Sequence, residues 1–180
     1  MAVIRSTPRA TSLQVDIDFL DLHMHAPERY PFLLESVAGG TAQGRFDILF
    51  AFPGESLCLD DNWRLSGNHA NQPDQRFLAA LDAWWSAERD SDTHGAGDAP
   101  SDLPFRGGWF VFLAYELLRE TEPTVQPAAL PGFPVALAVR VPVALIRERD
   151  NGQIWLLSEA GYEAAITQVT ADIAAAGGAG

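Results

Sequence analysis

Apolar and polar positions along this chain change period several times, and each change marks an element. Within residues 46–52, Phe46, Ile48, Phe50 and Phe52 fall on one face while Asp47, Leu49 and Ala51 take the other with Arg45, the period of two that a strand requires. Residues 13–25 alternate well enough to predict a first strand. Shorter strands are expected over 55–60 and 63–65, set apart by turn-forming Pro53-Gly54 and Asp60-Asp61-Asn62, and together these read as an antiparallel meander. From Trp109 to Ala114 every residue is apolar, which predicts a strand covered on both faces. Residues 135–146 and 154–157 give further strands, with a hairpin at Asp150-Asn151-Gly152.

The period lengthens elsewhere. After Pro73, the residues Phe77, Leu78, Leu81, Trp84 and Trp85 recur at helical spacing, and both tryptophans are expected in the core. Tyr162, Ile166, Val169 and Ile173 predict a closing helix with Ser158 as its N-cap. One helical turn is expected over 115–120, closed by Pro123. Residues 87–101 turn small and polar, without periodicity, and read as a mobile loop; 177–180 is a tail. The order is strands, helix, strands, helix, without regular βα alternation. It predicts an α+β domain over 1–176, built from packed antiparallel sheets with a few helices.

Composition narrows the function. The chain has 180 residues, 47% of them hydrophobic, enough for a core. A net charge of −12 argues against nucleic acid and anionic membrane as partners. All 12 cations are arginine, so these residues hold no Schiff-base or phosphate-binding lysine. The single Cys58 forms no internal disulfide, and the first nine residues lack the apolar stretch of a secretory signal, so a cytoplasmic location is expected. The apolar stretch 130–146 carries Pro131, Pro134, Arg140 and Pro142 and suits strands better than a membrane span.

Two local patterns carry possible chemistry. In Asp21-Leu-His-Met-His25 a strand would turn Asp21, His23 and His25 to one face, the start of a hydrolase metal site, although only His69 and His94 remain as further histidine ligands. Gly107-Gly108 permits positive φ or close backbone approach, as a bulge or packing site would use. Phosphate-loop, Gly-x-Ser-x-Gly and Cys-x-x-Cys motifs are all lacking from the sequence.

Three segments then carry a resemblance, in order: Tyr30-Pro-Phe-Leu-Leu-Glu-Ser36, Gly44-Arg-Phe-Asp-Ile-Leu-Phe-Ala-Phe-Pro53, and Asp102-Leu-Pro-Phe-Arg-Gly-Gly-Trp-Phe-Val-Phe-Leu-Ala-Tyr-Glu116. They resemble the N-terminal half of component I of the chorismate-aminating enzymes, aminodeoxychorismate synthase and anthranilate synthase. The family has glycines where this chain has Val111 and Ala114. Asp47, where the anthranilate branch commonly has serine, is similar to the aminodeoxychorismate branch.

The resemblance implies the fold of the anthranilate synthase component I N-terminal domain. It also implies a part in converting chorismate and glutamine-derived ammonia to 4-amino-4-deoxychorismate for para-aminobenzoate and folate. A pocket for tryptophan would be formed by Leu34, Glu35, Ser36, Arg45, Phe46 and Asp47, with Pro131 and Phe133 as further wall. Magnesium, its glutamate ligands, the chorismate-binding residues and an adduct-forming lysine would belong to a second catalytic half, absent from these residues. The implied partners are that half and a glutamine amidotransferase, component II. The chain alone is expected to be inactive, and no catalytic residue is assigned to it. Its closing helix is expected to leave an apolar face for self-association or for the companion half. Other readings are a non-catalytic tryptophan-binding or assembly module, an anthranilate synthase fragment, and a metal-dependent hydrolase using His23 and His25. Without the resemblance, Leu33 and Leu34 read as core, and Arg45 with Asp47 as a cross-sheet ion pair.

Overall fold

The strand and helix periods resolve into two antiparallel sheets with three helices, an α+β fold, in a computed structural model that describes residues 9–35, 44–71, 74–91 and 102–177. The chain divides into two compact units, each assembled from separated stretches of sequence. The first takes residues up to 53, 94–108 and from 141 onward; the second takes 54–93 and 109–140.

The first unit contains β1 (Arg9–Leu13), α1 (Phe19–His25), β2 (Phe32–Leu34), β3 (Phe46–Ala51), β8 (Val143–Glu148), β9 (Ile154–Ser158) and α3 (Glu163–Gly177). Its sheet runs β1-β9-β8-β3-β2, every pair antiparallel. One face of the sheet, carrying Leu49, Ala51, Val143, Leu145, Ile154 and Leu156, is buried under Phe19 and Leu22 of α1 and Ala165 and Val169 of α3. Full burial of each Leu or Phe contributes about 1.5–3 kcal/mol. A buried carboxylate also ties α3 to the turn before β2. Asp172 Oδ2 accepts from the Tyr30 hydroxyl and from Arg29, both at 2.6 Å, and its Oδ1 accepts from Gln168 at 3.0 Å.

The second unit contains β4 (Ser56–Leu59), β5 (Leu65–Gly67), α2 (Phe77–Ser91), β6 (Trp109–Leu113), a 3₁₀ helix (Tyr115–Glu120) and β7 (Ala136–Arg140), with its sheet ordered β5-β4-β7-β6. Phe77, Ala80 and Trp84 of α2 bury against Leu57, Leu59, Ala136 and Ala138. The first turn of α2 is capped from a distance, since Glu120 accepts from the backbone N–H of Phe77 at 2.8 Å and of Leu78 at 3.0 Å. That places a negative charge where the helix exposes its free donors.

Several expectations need correction. Residues 19–25 are helical rather than strand, because the Asp18 carboxylate accepts from the Leu20 N–H at 2.9 Å and starts a helix that buries Phe19 and Leu22 one turn apart. The expected strand over 135–146 is two strands in different sheets, parted at Val141-Pro142, and β3 and β4 also lie in different sheets, so the meander reduces to the β4–β5 hairpin. Phe52 leaves the face of Phe50 because its φ of +57° turns the chain; it packs with the α1–α3 core, edge-on to Tyr30. Ser158 is a buried strand residue and does not cap α3, which begins at Glu163. The helical face bearing Val169 is packed within its own unit, so it is not the open face expected for a partner. Trp84 is buried, but Trp85 is exposed.

The Asn151-Gly152 turn stands as expected, with Gly152 at φ +72° and Asn151 Oδ1 accepting from the Gln153 N–H at 2.8 Å. Pro73, His94 and residues 92–101 of the expected loop lie outside the described residues, while 87–91 complete α2. No helix among the described residues is long and apolar enough to cross a membrane.

Candidate functional site

The first two resembling segments meet as neighbouring strands. β2 pairs with β3 so that Leu34 stands opposite Ile48 and Phe32 opposite Phe50. Cross-strand partners share a face, so Leu34, Phe46 and Ile48 occupy the side of the sheet away from α1 and α3. Leu34 is exposed, and Phe46 and Ile48 are half-buried.

Arg45 closes one end of this apolar strip. Its guanidinium lies 4.8 Å from the Phe46 ring centre, donates from Nε to Glu148 at 2.7 Å and from a terminal nitrogen to Asp102 at 2.7 Å, and makes a second contact with Glu148. Hydrogen bonds from Arg45 hold Glu148 and Asp102 below the usual carboxylate range, and the same bonds raise Arg45 above its ordinary value. Arg45 is therefore committed to those two acids. The cross-sheet pair expected between Arg45 and Asp47 does not form.

Asp47 instead faces the helices. It is buried, lies 3.2 Å from Arg147 through Oδ2, and has its Oδ1 3.6 Å from Arg149 without a hydrogen bond. Arg147 also lies 4.7 Å from the Phe19 ring centre and 3.8 Å from Glu35. Among the tryptophan-pocket residues, then, Leu34, Phe46 and Arg45 share one side of the sheet, and Asp47 takes the other with the Glu35 carboxylate near its Arg147 partner. Pro131 and Phe133 belong to the second unit. There Gly132 turns the chain at φ +74°, its N–H donating to Asp61 at 2.7 Å, and Phe133 packs edge-on to Phe112 at 5.4 Å. Ser36 lies outside the described residues.

No family model matches the sequence, and no curated protein is significantly similar to it.

The histidines do not build the arrangement a strand would have given. His23 and His25 sit two positions apart on α1, where such neighbours point to different sides, and Nδ1 of His23 is 2.7 Å from the Tyr30 carbonyl, which it can meet only as a donor. Among the described residues no three His, Cys, Asp or Glu side chains gather as a metal site needs.

Gly107 and Gly108 have φ of +111° and +132°, and a Cβ on Gly107 would fall 2.0 Å from a carboxylate oxygen of Glu159. Here glycine serves both positive φ and close approach. A feature that sequence periodicity missed lies in the second unit: a groove of about 300 Å³ between α2 and β6, lined by Leu78, Leu81, Asp82, Trp85, Trp109 and Val111. The clue was the adjacent pair Trp84-Trp85. Neighbours on a helix lie about 100° apart, so a core on one side takes one of them and leaves the other toward the groove. Behind the groove, Trp84 stacks on His69 at 4.1 Å and meets Trp109 edge-on at 5.5 Å.

Proposed function

We propose that these 180 residues form the N-terminal domain of a component I-type chorismate-aminating enzyme of the aminodeoxychorismate branch, and that the domain binds tryptophan. The observation that supports this reading is the pairing of β2 with β3, through which two of the three resembling segments contribute Leu34, Phe46 and Ile48 to one apolar strip. An indole needs such a wall, and its zwitterionic end needs a few polar groups close by. Glu148 and Asp102, gathered by Arg45 at the end of this strip, supply carboxylates for the ammonium on that side of the sheet, whereas Glu35 turns toward Arg147. Catalysis is assigned to a companion half carrying the magnesium ligands and the lysine, with component II delivering ammonia from glutamine. This chain's role is to bind and position. The order of the three segments supports the component I family, and Asp47 in the second favours its aminodeoxychorismate branch.

The test combines calorimetry with reconstitution. Tryptophan titrated into the chain should bind saturably and raise its Tm, since a ligand that binds only the folded state stabilises it by mass action. Phe46→Ala should weaken that binding. With chorismate, ammonia and magnesium the chain alone should give no aminodeoxychorismate, and product should appear once a component I catalytic half is supplied. Turnover by these residues alone would overturn the reading, as would a lack of tryptophan binding both alone and with that half.

A further inference from the structure

The turn that joins β8 to β9 in the first unit holds a reactive pair. Asn62, Asn68 and Asn71 precede Trp, His and Gln, and Asn151 alone among the asparagines precedes a glycine. An asparagine loses its side-chain amide when the backbone nitrogen of the next residue attacks it, and a side chain on that residue hinders the approach; glycine has none. Asn151 and Gly152 are both exposed, and no atom lies within 4 Å of the place a Cβ on Gly152 would take. The turn therefore leaves room for the cyclic imide that such an attack forms.

Both reacting groups are engaged while the turn is closed. The Gly152 N–H donates to the Glu148 carbonyl at 2.8 Å, so the attacking nitrogen has its proton in a hydrogen bond. The Asn151 side chain is held at each end: Oδ1 accepts from the Gln153 N–H at 2.8 Å, and Nδ2 donates to Glu148 Oε2 at 2.9 Å. Glu148 thus binds the nucleophile with its backbone and the leaving nitrogen with its carboxylate. That carboxylate is fixed in turn, because its other oxygen accepts from Arg45 Nε at 2.7 Å. Ring closure needs the Gly152 proton released and the Asn151 side chain rotated, so these bonds must open first.

We propose that Asn151 is a modification site, an asparagine that deamidates by itself when the β8–β9 turn opens, and that the product leaves the turn looser than before. Gly152 N bonds to Asn151 Cγ, the Cγ–Nδ2 bond breaks, and Nδ2 departs as ammonia with the Gly152 amide proton. Water, the one co-reactant, then opens the imide at either carbonyl to give aspartate or isoaspartate, whose carboxyl sheds a proton at neutral pH. The new carboxylate has no hydrogen to donate to Glu148 and sets a like charge beside it. Isoaspartate also reroutes the backbone through the side chain, which moves Gln153 out of its place opposite Glu148. The amide is not regained, so the converted fraction records how long the turn has spent open.

Peptide mapping of the full chain, aged in warm, mildly alkaline buffer, tests this directly. Asn151 should convert while Asn62, Asn68 and Asn71 stay intact, at least about tenfold more slowly in the folded chain than in the same chain unfolded by guanidinium chloride. Glu148→Ala removes the bond to Nδ2 and should convert several-fold faster than the wild type, with near-ultraviolet circular dichroism to show that it is folded. Hydrogen exchange at the Gly152 amide reports opening of the same turn without any bond breaking, and should quicken in that variant too. Asn151→Asp stands for the aspartate product, and its Gly152 amide should exchange faster than in the wild type. Conversion as fast in the folded chain as in the unfolded one, or none in either, overturns the proposal. So does a folded Glu148→Ala chain that converts no faster, or an Asn151→Asp turn as well protected as the wild type; if Glu148→Ala does not fold, the wild-type comparison and Asn151→Asp decide.

Discussion

Asp172 offers the clearest measure of how the first unit is held together. Its carboxylate accepts the Tyr30 hydroxyl and Arg29 at 2.6 Å, and Tyr30 is fully buried. Replacing Asp172 with Leu strands that hydroxyl away from water, at about 1–3 kcal/mol, and also removes a charge-assisted bond. Arg29 adds little to the cost, because its side chain is 33% exposed and returns to solvent. The expected loss is about 2–4 kcal/mol. Tyr30→Phe, which deletes only the hydroxyl and leaves Asp172 to Arg29 and Gln168, should cost about 1–1.5 kcal/mol. The double variant strands nothing, so its cost should fall short of the sum by about 1–2 kcal/mol.

Urea unfolding followed by circular dichroism measures all four proteins of that cycle. The pH dependence supplies a second readout. Burial acts to raise the Asp172 carboxyl, yet hydrogen bonds from Tyr30, Gln168 and Arg29 outweigh it and hold the group below its ordinary value. A folded-state value below the unfolded one gives stability that is complete above the unfolded value, near 3.9, and is lost as pH falls through the folded one. The gap between wild type and Asp172→Leu should thus stay constant from neutrality to about pH 4 and narrow below it. Strictly additive single variants, or a gap that widens in acid, would refute this account of the network.

Two further expectations concern packing and backbone. Trp84→Ala, at a site 2% exposed between His69 and Trp109, should cost about 3–5 kcal/mol in calorimetric unfolding. Trp84→Phe should cost less, because the Trp84 indole N–H is buried without a hydrogen-bond partner. Gly107→Ala should lower stability by about 1–3 kcal/mol through its φ of +111° and its clash with Glu159, and adding Glu159→Ala should recover only the clash.

Period-two patterns revealed β3 and β4, a short apolar run revealed β9, and the Asn-Gly pair revealed the hairpin, because these depend on neighbours along the chain. The error at residues 19–25 arose because Phe19 and Leu22 satisfy a helix while the intervening residues also alternate; the Asp18 cap was the deciding local signal. The all-apolar run of β6 predicted a strand covered on both faces, but Val111 and Leu113 are exposed, because such a run cannot say whether the strand lies inside a sheet or at its edge, which only the pairing of distant strands determines. The same holds at the candidate site. Alternation separates the faces of Phe46 and Asp47, yet Arg45 chose Glu148 and Asp102 over Asp47, partners 103 and 57 residues away that no local spacing announces.

The first strand of the sheet bonds the last: Arg9 stands across from Ser158, and Leu13 from Ile154. During synthesis β1 therefore leaves the ribosome long before its partner exists, and at about 5–20 residues per second it waits roughly 7–30 seconds unpaired. Neither unit can be finished early, since 109–140 must emerge before β4 and α2 have the rest of their sheet, and β8 and β9 before the first sheet can form. This is a chain that commits late, with most of its apolar strands already outside the exit tunnel. Any protection it needs from aggregation in the cell must cover the interval before residues 154–158 emerge.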